Sequence, residues 1–298
     1  MSADTWKITA VALRGDVEAA LAALDGDGRM VLSGREVAED SEEWVLEAWL
    51  SDAPDEDDLA RFAALLPVGP DAFRVERLTE QDWITLSQQG MEPVVAGRFH
   101  VRTPDHPTAQ DGARIDLVIP ASQAFGTGQH ETTAGCLAML DRLERCGERP
   151  GRIVDVGTGT GVLAFAAARL WPGATIFASD VDPVCAGVVR DNAARNGVAL
   201  GTGAGEVAIV TAAGLDHPDL RRDGAFDLVI ANILAGPLIE IAGQLTRALA
   251  PAGHLILAGL LTRQQDEVLQ PYADAGMTLR ERLMNGDWSI LWLERTRS

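Results

Sequence analysis

Arg152-Ile153-Val154-Asp155-Val156-Gly157-Thr158-Gly159-Thr160-Gly161-Val162-Leu163-Ala164-Phe165-Ala166-Ala167-Ala168 is the stretch from which the rest of the chain can be read. Ile153, Val154 and Val156 make a short apolar run suited to a buried strand. Val162 to Leu170 is rich in Ala, Leu and Phe and free of Pro and Gly, which predicts a helix. Three glycines stand at alternate positions between them. A strand that turns through glycines into a helix presents backbone N–H groups and the positive end of a helix dipole. Glycine also admits φ > 0 and lets a ligand approach the backbone. The stretch predicts a nucleotide-binding turn.

Spacing narrows the nucleotide. A dinucleotide fingerprint needs Gly-x-Gly-x-x-Gly. Counted from Gly157, its third glycine falls on Val162. Counted from Gly159 it falls on Ala164, which is tolerated but leaves Asp155 unexplained. A P-loop needs a Gly-Lys pair, and no lysine is here. What remains is an acid at the strand end followed by Gly-x-Gly-x-Gly. The next strand, Ala174 to Ser179, ends in Asp180-Val181-Asp182. An acid at that tip suits the two hydroxyls of a ribose. Together these features resemble the S-adenosylmethionine (SAM) site of Rossmann-like methyltransferases, with Gly157, Gly159 and Asp180 as cofactor-binding residues. Asp182, followed by Pro183, reads as a cap for the next helix.

The 298-residue chain has room for about two domains. No apolar run approaches the ~20 residues of a membrane span, and Met1-Ser2-Ala3-Asp4 lacks a basic secretory n-region. Cys136, Cys146 and Cys185 are odd in number and lack metal-like spacing, so they read as reduced thiols in a cytoplasmic protein. Metal catalysis has no support. The formal net charge of -19 argues against bare nucleic acid as a partner and suits a small ligand or a basic protein. Residues 1–80 hold 19 Asp/Glu against 7 Lys/Arg, so the N-terminal part carries most of the excess acid.

That part reads β-α-β-β-α-β. Thr5 to Leu13 alternates, with Trp6, Ile8, Ala10 and Ala12 on one side. Asp16 is a candidate N-cap for a helix over Val17 to Leu24, and Asp25-Gly26-Asp27-Gly28 is a turn. Strands over Arg29 to Val37 and Glu43 to Leu50 follow. A helix over Asp55 to Leu65 and a strand over Phe73 to Leu78 complete the unit. This order predicts a ferredoxin-like α+β domain over residues 1–79, read as a substrate-recognition module because it lacks catalytic spacing. Residues 80–96 read as a linker with a short helix over Asp82 to Gln89. Gly97 to Val101 and Arg114 to Ile119 read as a hairpin leading into the larger domain, residues 97–298.

From Glu131 onward helices and strands alternate, which predicts an α/β, doubly wound, mostly parallel sheet closed by an antiparallel pair, Met277 to Leu283 and Trp288 to Glu294. Between these come helices over Thr132 to Arg145, Pro183 to Asn196, Leu238 to Leu249 and Gln264 to Ala275. Ligands in such sheets lie beyond the carboxyl ends of the strands. Asn232 follows one such end. Many amino-methylating enzymes carry Asn/Asp-Pro-Pro-Tyr there; this chain keeps Asn232 but has Ile233-Leu234 in place of the prolines. The Asn amide can accept from an N–H of the cofactor or of the substrate amine, a positioning role. Gln123-Ala124-Phe125-Gly126-Thr127-Gly128-Gln129-His130-Glu131-Thr132-Thr133 is a second glycine-bearing loop before a helix. Phe125 offers an apolar face and Thr127 a hydroxyl, a loop placed to close over the cofactor. His130 reads as a helix-start residue rather than a general base.

Phe125-Gly126-Thr127-Gly128-x-His130-x-Thr132-Thr133, the Asp155 turn, Asn232-Ile233-Leu234-Ala235 and Asp287-Trp288 together resemble the bacterial PrmA family of ribosomal protein methyltransferases. The resemblance spans essentially the whole chain, although the N-terminal match rests on element order. It implies a SAM-dependent protein N-methyltransferase. The implied targets are lysine side chains and the N-terminal amine of the large-subunit protein numbered eleven (L-eleven). It also implies that Thr133, Gly157, Asp180 and Asn232 contact the cofactor. One departure stands out: Ala121-Ser122-Gln123 replaces the family's usual Asp-Pro-Gly at the loop entry. The rival reading is a SAM-dependent methyltransferase acting on another protein or a small molecule.

Overall fold

The computed structural model describes residues 5–23, 29–37, 42–67, 72–78, 92–109, 114–120, 129–222 and 224–296. The expected turn at 25–28, the helix over 82–89 and the loop at 121–128 fall outside them. The chain divides into two compact units, Met1–Gln89 and Gly90–Ser298.

In the first unit β1 (Thr5–Leu13) runs straight into α1 (Arg14–Ala23). Then come β2 (Val31–Glu36), β3 (Glu43–Leu50), α2 (Glu56–Ala63) and β4 (Arg74–Leu78). The sheet order β2-β3-β1-β4, antiparallel at each pairing, is the ferredoxin-like arrangement. Alternation along β1 buries Ile8, Ala10 and Ala12. They join Leu46, Ala48 and Leu50 of β3, Val17 of α1 and Phe62 of α2 in one core. Asp16 lies within the first turn of α1 and is not its N-cap. No loop separates β1 from the helix, so the helix begins three residues earlier, and Arg14 N–H bonds to Glu42 O at 2.9 Å. The start of α2 is a reciprocal capping box between Asp55 and Asp58. Arg29 donates to Asp58 from Nε at 2.8 Å and from Nη2 at 2.7 Å. These bonds draw the Asp58 carboxyl down to about 2, against the cost of its burial.

The second unit opens with β5 (Val94–Ala96), β6 (Phe99–Arg102) and β7 (Ile115–Val118), a small sheet of order β5-β6-β7. The expected hairpin between residues 97–101 and 114–119 is absent: β6 and β7 are parallel. The antiparallel partner of β6 is β5, across the tight turn at Gly97-Arg98. The segment between β6 and β7 is long enough for a parallel crossover, and strand patterning alone does not encode direction.

There follow α3 (Gln129–Arg145), β8 (Arg152–Val156), α4 (Val162–Leu170), β9 (Thr175–Asp180), α5 (Val184–Arg195) and β10 (Val207–Thr211). The chain continues through α6 (Pro218–Arg222), β11 (Phe226–Asn232), α7 (Ala235–Glu240), α8 (Ala242–Ala248) and β12 (Leu249–Leu261). It closes with α9 (Gln265–Asp274), β13 (Met277–Asn285) and β14 (Trp288–Arg295). The seven strands order as β10-β9-β8-β11-β12-β14-β13. β10 through β12 are parallel, and β14 inserts antiparallel between β12 and β13. Strand β8 is buried throughout, and its alternate residues feed two cores. Ile153 packs with Leu137 and Leu140 of α3 and Leu163 of α4. Val154 and Val156 pack with Leu238, Leu245 and Tyr272 on the other face.

The single helix expected over Leu238 to Leu249 is two, broken at Ile241. Tyr272 Oη donates to Leu238 O at 2.7 Å, taking the carbonyl that residue 242 would use in a continuous helix. No helix among the described residues is long and apolar enough to cross a membrane.

Candidate active site

β8 lies between β9 and β11, so the sheet's order reverses direction at its carboxyl end, where open α/β sheets bind ligands. Asp155, Gly157, Gly159, Asp180, Asn232 and Thr133 are gathered there. The side chain of Asp155 shares a face of β8 with Ile153, under the start of α4. Its Oδ2 accepts from Thr158 Oγ1 at 2.7 Å and from Ala164 N at 3.2 Å. It is 1% exposed, and desolvation pushes its carboxyl up to about 7, aided by the neighbouring Asp180 charge and opposed by those two bonds.

The turn itself is held by β9. Gly157 N and Thr158 N both bond to Ser179 O, at 2.8 and 3.0 Å, and Gly161 N bonds to Thr158 O at 2.9 Å. The sequence predicts free backbone N–H groups at the turn, but those of Gly157, Thr158 and Gly161 are bonded within the chain. The two bonds to Ser179 continue the parallel β8–β9 ladder past Val156 and Ser179 into the turn. Gly157 is left-handed, φ +71°, and Gly161 caps α4 in the same region. The turn therefore presents bare backbone.

Asp180, the last residue of β9, is oriented by two amides. Gly159 N donates to Oδ2 at 2.9 Å and Asp182 N to Oδ1 at 3.0 Å. The carboxylate, which the Cys185 side chain also contacts, keeps acceptor capacity for a hydroxyl. Asp182 accepts from Val184 N at 2.9 Å, so it serves the start of α5 as expected. Thr158, Cys185, Val189, Ile209 and Val210 lie around Asp180. Cys185 and β10 carried no sequence signal for this site; only the packing of α5 and β10 around Asp180 reveals them.

Asn232 ends β11, and its Nδ2 donates to the hydroxyl of Thr133, a buried residue of α3, at 3.5 Å. Ile233 follows, packed against the turn; Leu234 is 69% exposed at the start of α7. Phe125 and Thr127, the other two expected cofactor contacts, lie outside the described residues, as does the side chain of His130. Among the described residues no cluster of His, Cys, Asp or Glu could hold a metal ion.

A strand order of this kind, with an acid and glycines at the first βα turn and an acid ending the next strand, defines the class of Rossmann-like methyltransferases. The chain matches the family described as ribosomal protein L11 methyltransferase (PrmA) over residues 17–296, and it belongs to that family. It is 40% identical over 259 residues to the ribosomal protein L11 methyltransferase of Brucella suis, covering 87% of each chain. To that of Rhizobium rhizogenes it is 40% identical over 272 residues, 90% of each. Among solved structures, the ribosomal protein L11 methylase of Lactobacillus delbrueckii subsp. bulgaricus superimposes with a TM-score of 0.56 at 26% identity. That match covers 69% of this chain and 98% of the other.

Proposed function

We propose that this chain methylates amino groups of ribosomal large-subunit protein L11, lysine side chains and the N-terminal amine, with SAM as methyl donor. The observation that carries this reading is the convergence of the bare Gly157 turn, the oriented Asp180 carboxylate and Asn232 at one end of the sheet. Family membership supports L11 as the acceptor.

The residues fit the cofactor. Gly157 and Gly159 would lie against its methionine portion, Asp180 would accept from the ribose hydroxyls, and Thr133 and Asn232 would border the transferring group. Phe125 and Thr127 would close over it. When bound, it supplies an activated methyl group. The chain's own work is to place the amine and exclude water. A lysine amine titrates near ~10.4 and an α-amine near ~8, and only the neutral form attacks. Desolvation at the strand ends favours that form. With Nδ2 turned to Thr133, the Asn232 oxygen accepts from the amine N–H and aims its lone pair. The proton leaves to water, so no dedicated base is required.

In this reading residues 1–79 recognise the substrate, 80–96 link, and 97–298 catalyse. The acidic N-terminal surface suits a basic ribosomal protein met in the cytoplasm, and no direct nucleic-acid contact is needed. The test is transfer of labelled methyl from SAM to purified L11, where a labelled L11 band is expected. An unlabelled band, with the enzyme folded and SAM raising its melting temperature, would remove L11 as the acceptor. A thermal shift with NAD and none with SAM would remove the cofactor assignment.

A further inference from the structure

Strand β12 carries a bulge: its register with β14 shifts between Leu257 and Leu260. Gly259 sits in that bulge at φ +85°. A Cβ there would lie 2.2 Å from the carbonyl oxygen of Ile233, 2.7 Å from its carbonyl carbon and 3.0 Å from its nitrogen. All three are backbone atoms, so no rotamer change relieves the contact. From the other side, a Cβ on Gly157 would lie 2.3 Å from the Ile233 Cγ2 methyl. β11 runs between β8 and β12, and the residue that follows its end is thus seated between two glycines, one from the turn after β8 and one from β12. Asn232 immediately precedes that seated peptide.

We infer that Gly259 is a positioning residue for methyl transfer: its missing side chain seats the Ile233 peptide and so sets where Asn232 stands over the Gly157 turn. Gly259 acts through Ile233. The role rests on the proposed part of Asn232 in orienting the amine. A side chain at 259 must push the peptide of Ile233 outward, and a shift of about 1 Å in a positioning group costs on the order of a hundredfold in rate.

The test compares Gly259→Ala with Gly276→Ala. Gly276 has the same handedness, φ +81°, but its nearest neighbour for a Cβ is Thr296 Oγ1 at 3.5 Å. Both variants carry the backbone strain of alanine in the left-handed region; only one carries the collision. In Gly259→Ala, kcat on L11 should fall about 10- to 100-fold while KM for L11 changes less than about threefold. Gly276→Ala should keep kcat within about twofold of the parent. The Asn232 side-chain amide resonance, read by NMR without any substrate, should move in Gly259→Ala and stay in Gly276→Ala. An unmoved resonance, or an equal kcat loss in both variants, overturns the inference. A parent enzyme that fails to label L11 counts against the proposed function instead, and the resonance still decides the role of Gly259.

Discussion

Gly157 meets Ile233 so closely that a Cβ on the glycine would stand 2.3 Å from the Ile233 Cγ2 methyl. The turn after β8 and the end of β11 are therefore fitted to each other, although 76 residues separate Gly157 from Ile233 in the chain. The collision is with a side chain, which makes it reversible by substitution. Gly157→Ala should weaken SAM binding at least tenfold, combining left-handed strain of about 1–3 kcal/mol with the clash. Adding Ile233→Ala removes the methyl and should restore part of that loss, leaving the strain. Calorimetric titration of SAM into the two variants checks this. Equal affinities would mean that the clash is absorbed elsewhere.

Asp155 should make the enzyme less stable as pH rises. Its folded pKa, about 7, stands above the ~3.9 of an unfolded aspartate. The folded state therefore holds the proton more tightly. The associated stability is complete below about pH 4 and is lost as pH climbs through 7. Asp155→Asn keeps an acceptor for Thr158 and Ala164 but does not titrate. Its melting temperature relative to the parent should rise by several degrees between pH 5 and pH 8, reflecting a difference on the order of 2–4 kcal/mol. Scanning calorimetry across that range measures it; a pH-independent difference would show that Asp155 is ionised in the fold.

Asn232→Ala removes the proposed acceptor for the amine and the donor to Thr133. kcat on L11 should drop by about 10- to 1000-fold, the range for one positioned polar group, with a smaller change in KM. Single-turnover rates at saturating SAM separate the chemical step from binding. Unchanged single-turnover rates would take Asn232 out of the site.

Lys7 is the only lysine in the chain. It is buried in the first unit's sheet, with Nζ 3.7 Å from Glu47 and 3.6 Å from Glu76 and 5.5 Å from the centre of the Trp49 ring. An ammonium held between two carboxylates has no free lone pair, and its burial excludes a second enzyme molecule. Incubation with labelled SAM and no substrate should leave every lysine side chain unmodified. Peptide mass mapping reads this directly, and a methylated Lys7 peptide would contradict it.

Much of the fold is legible locally. The acid at 155, the three alternating glycines and the acid at 180 predict a strand–turn–helix unit that the structure forms, because the residues that make it all lie within about 30 positions. The alternation of Ile8, Ala10 and Ala12, and the βα order after residue 131, fix the layers because periodicity encodes which face is buried. The parallel pairing of β6 and β7 is different in kind, since a strand's sequence records its faces and not its neighbour's direction.

The same divide runs through the site. The sequence by itself determined which residues stand at the strand ends: Gly157, Asp180 and Asn232. Only the tertiary structure decided what their neighbours do. Ser179 takes the amides of Gly157 and Thr158, Tyr272 takes the Leu238 carbonyl beside the break at Ile241, and Gly259 leaves room for Ile233. Each depends on atoms brought together from distant parts of the chain. Such contacts are set by how strands stack into a sheet, and no local pattern of residue types carries that information.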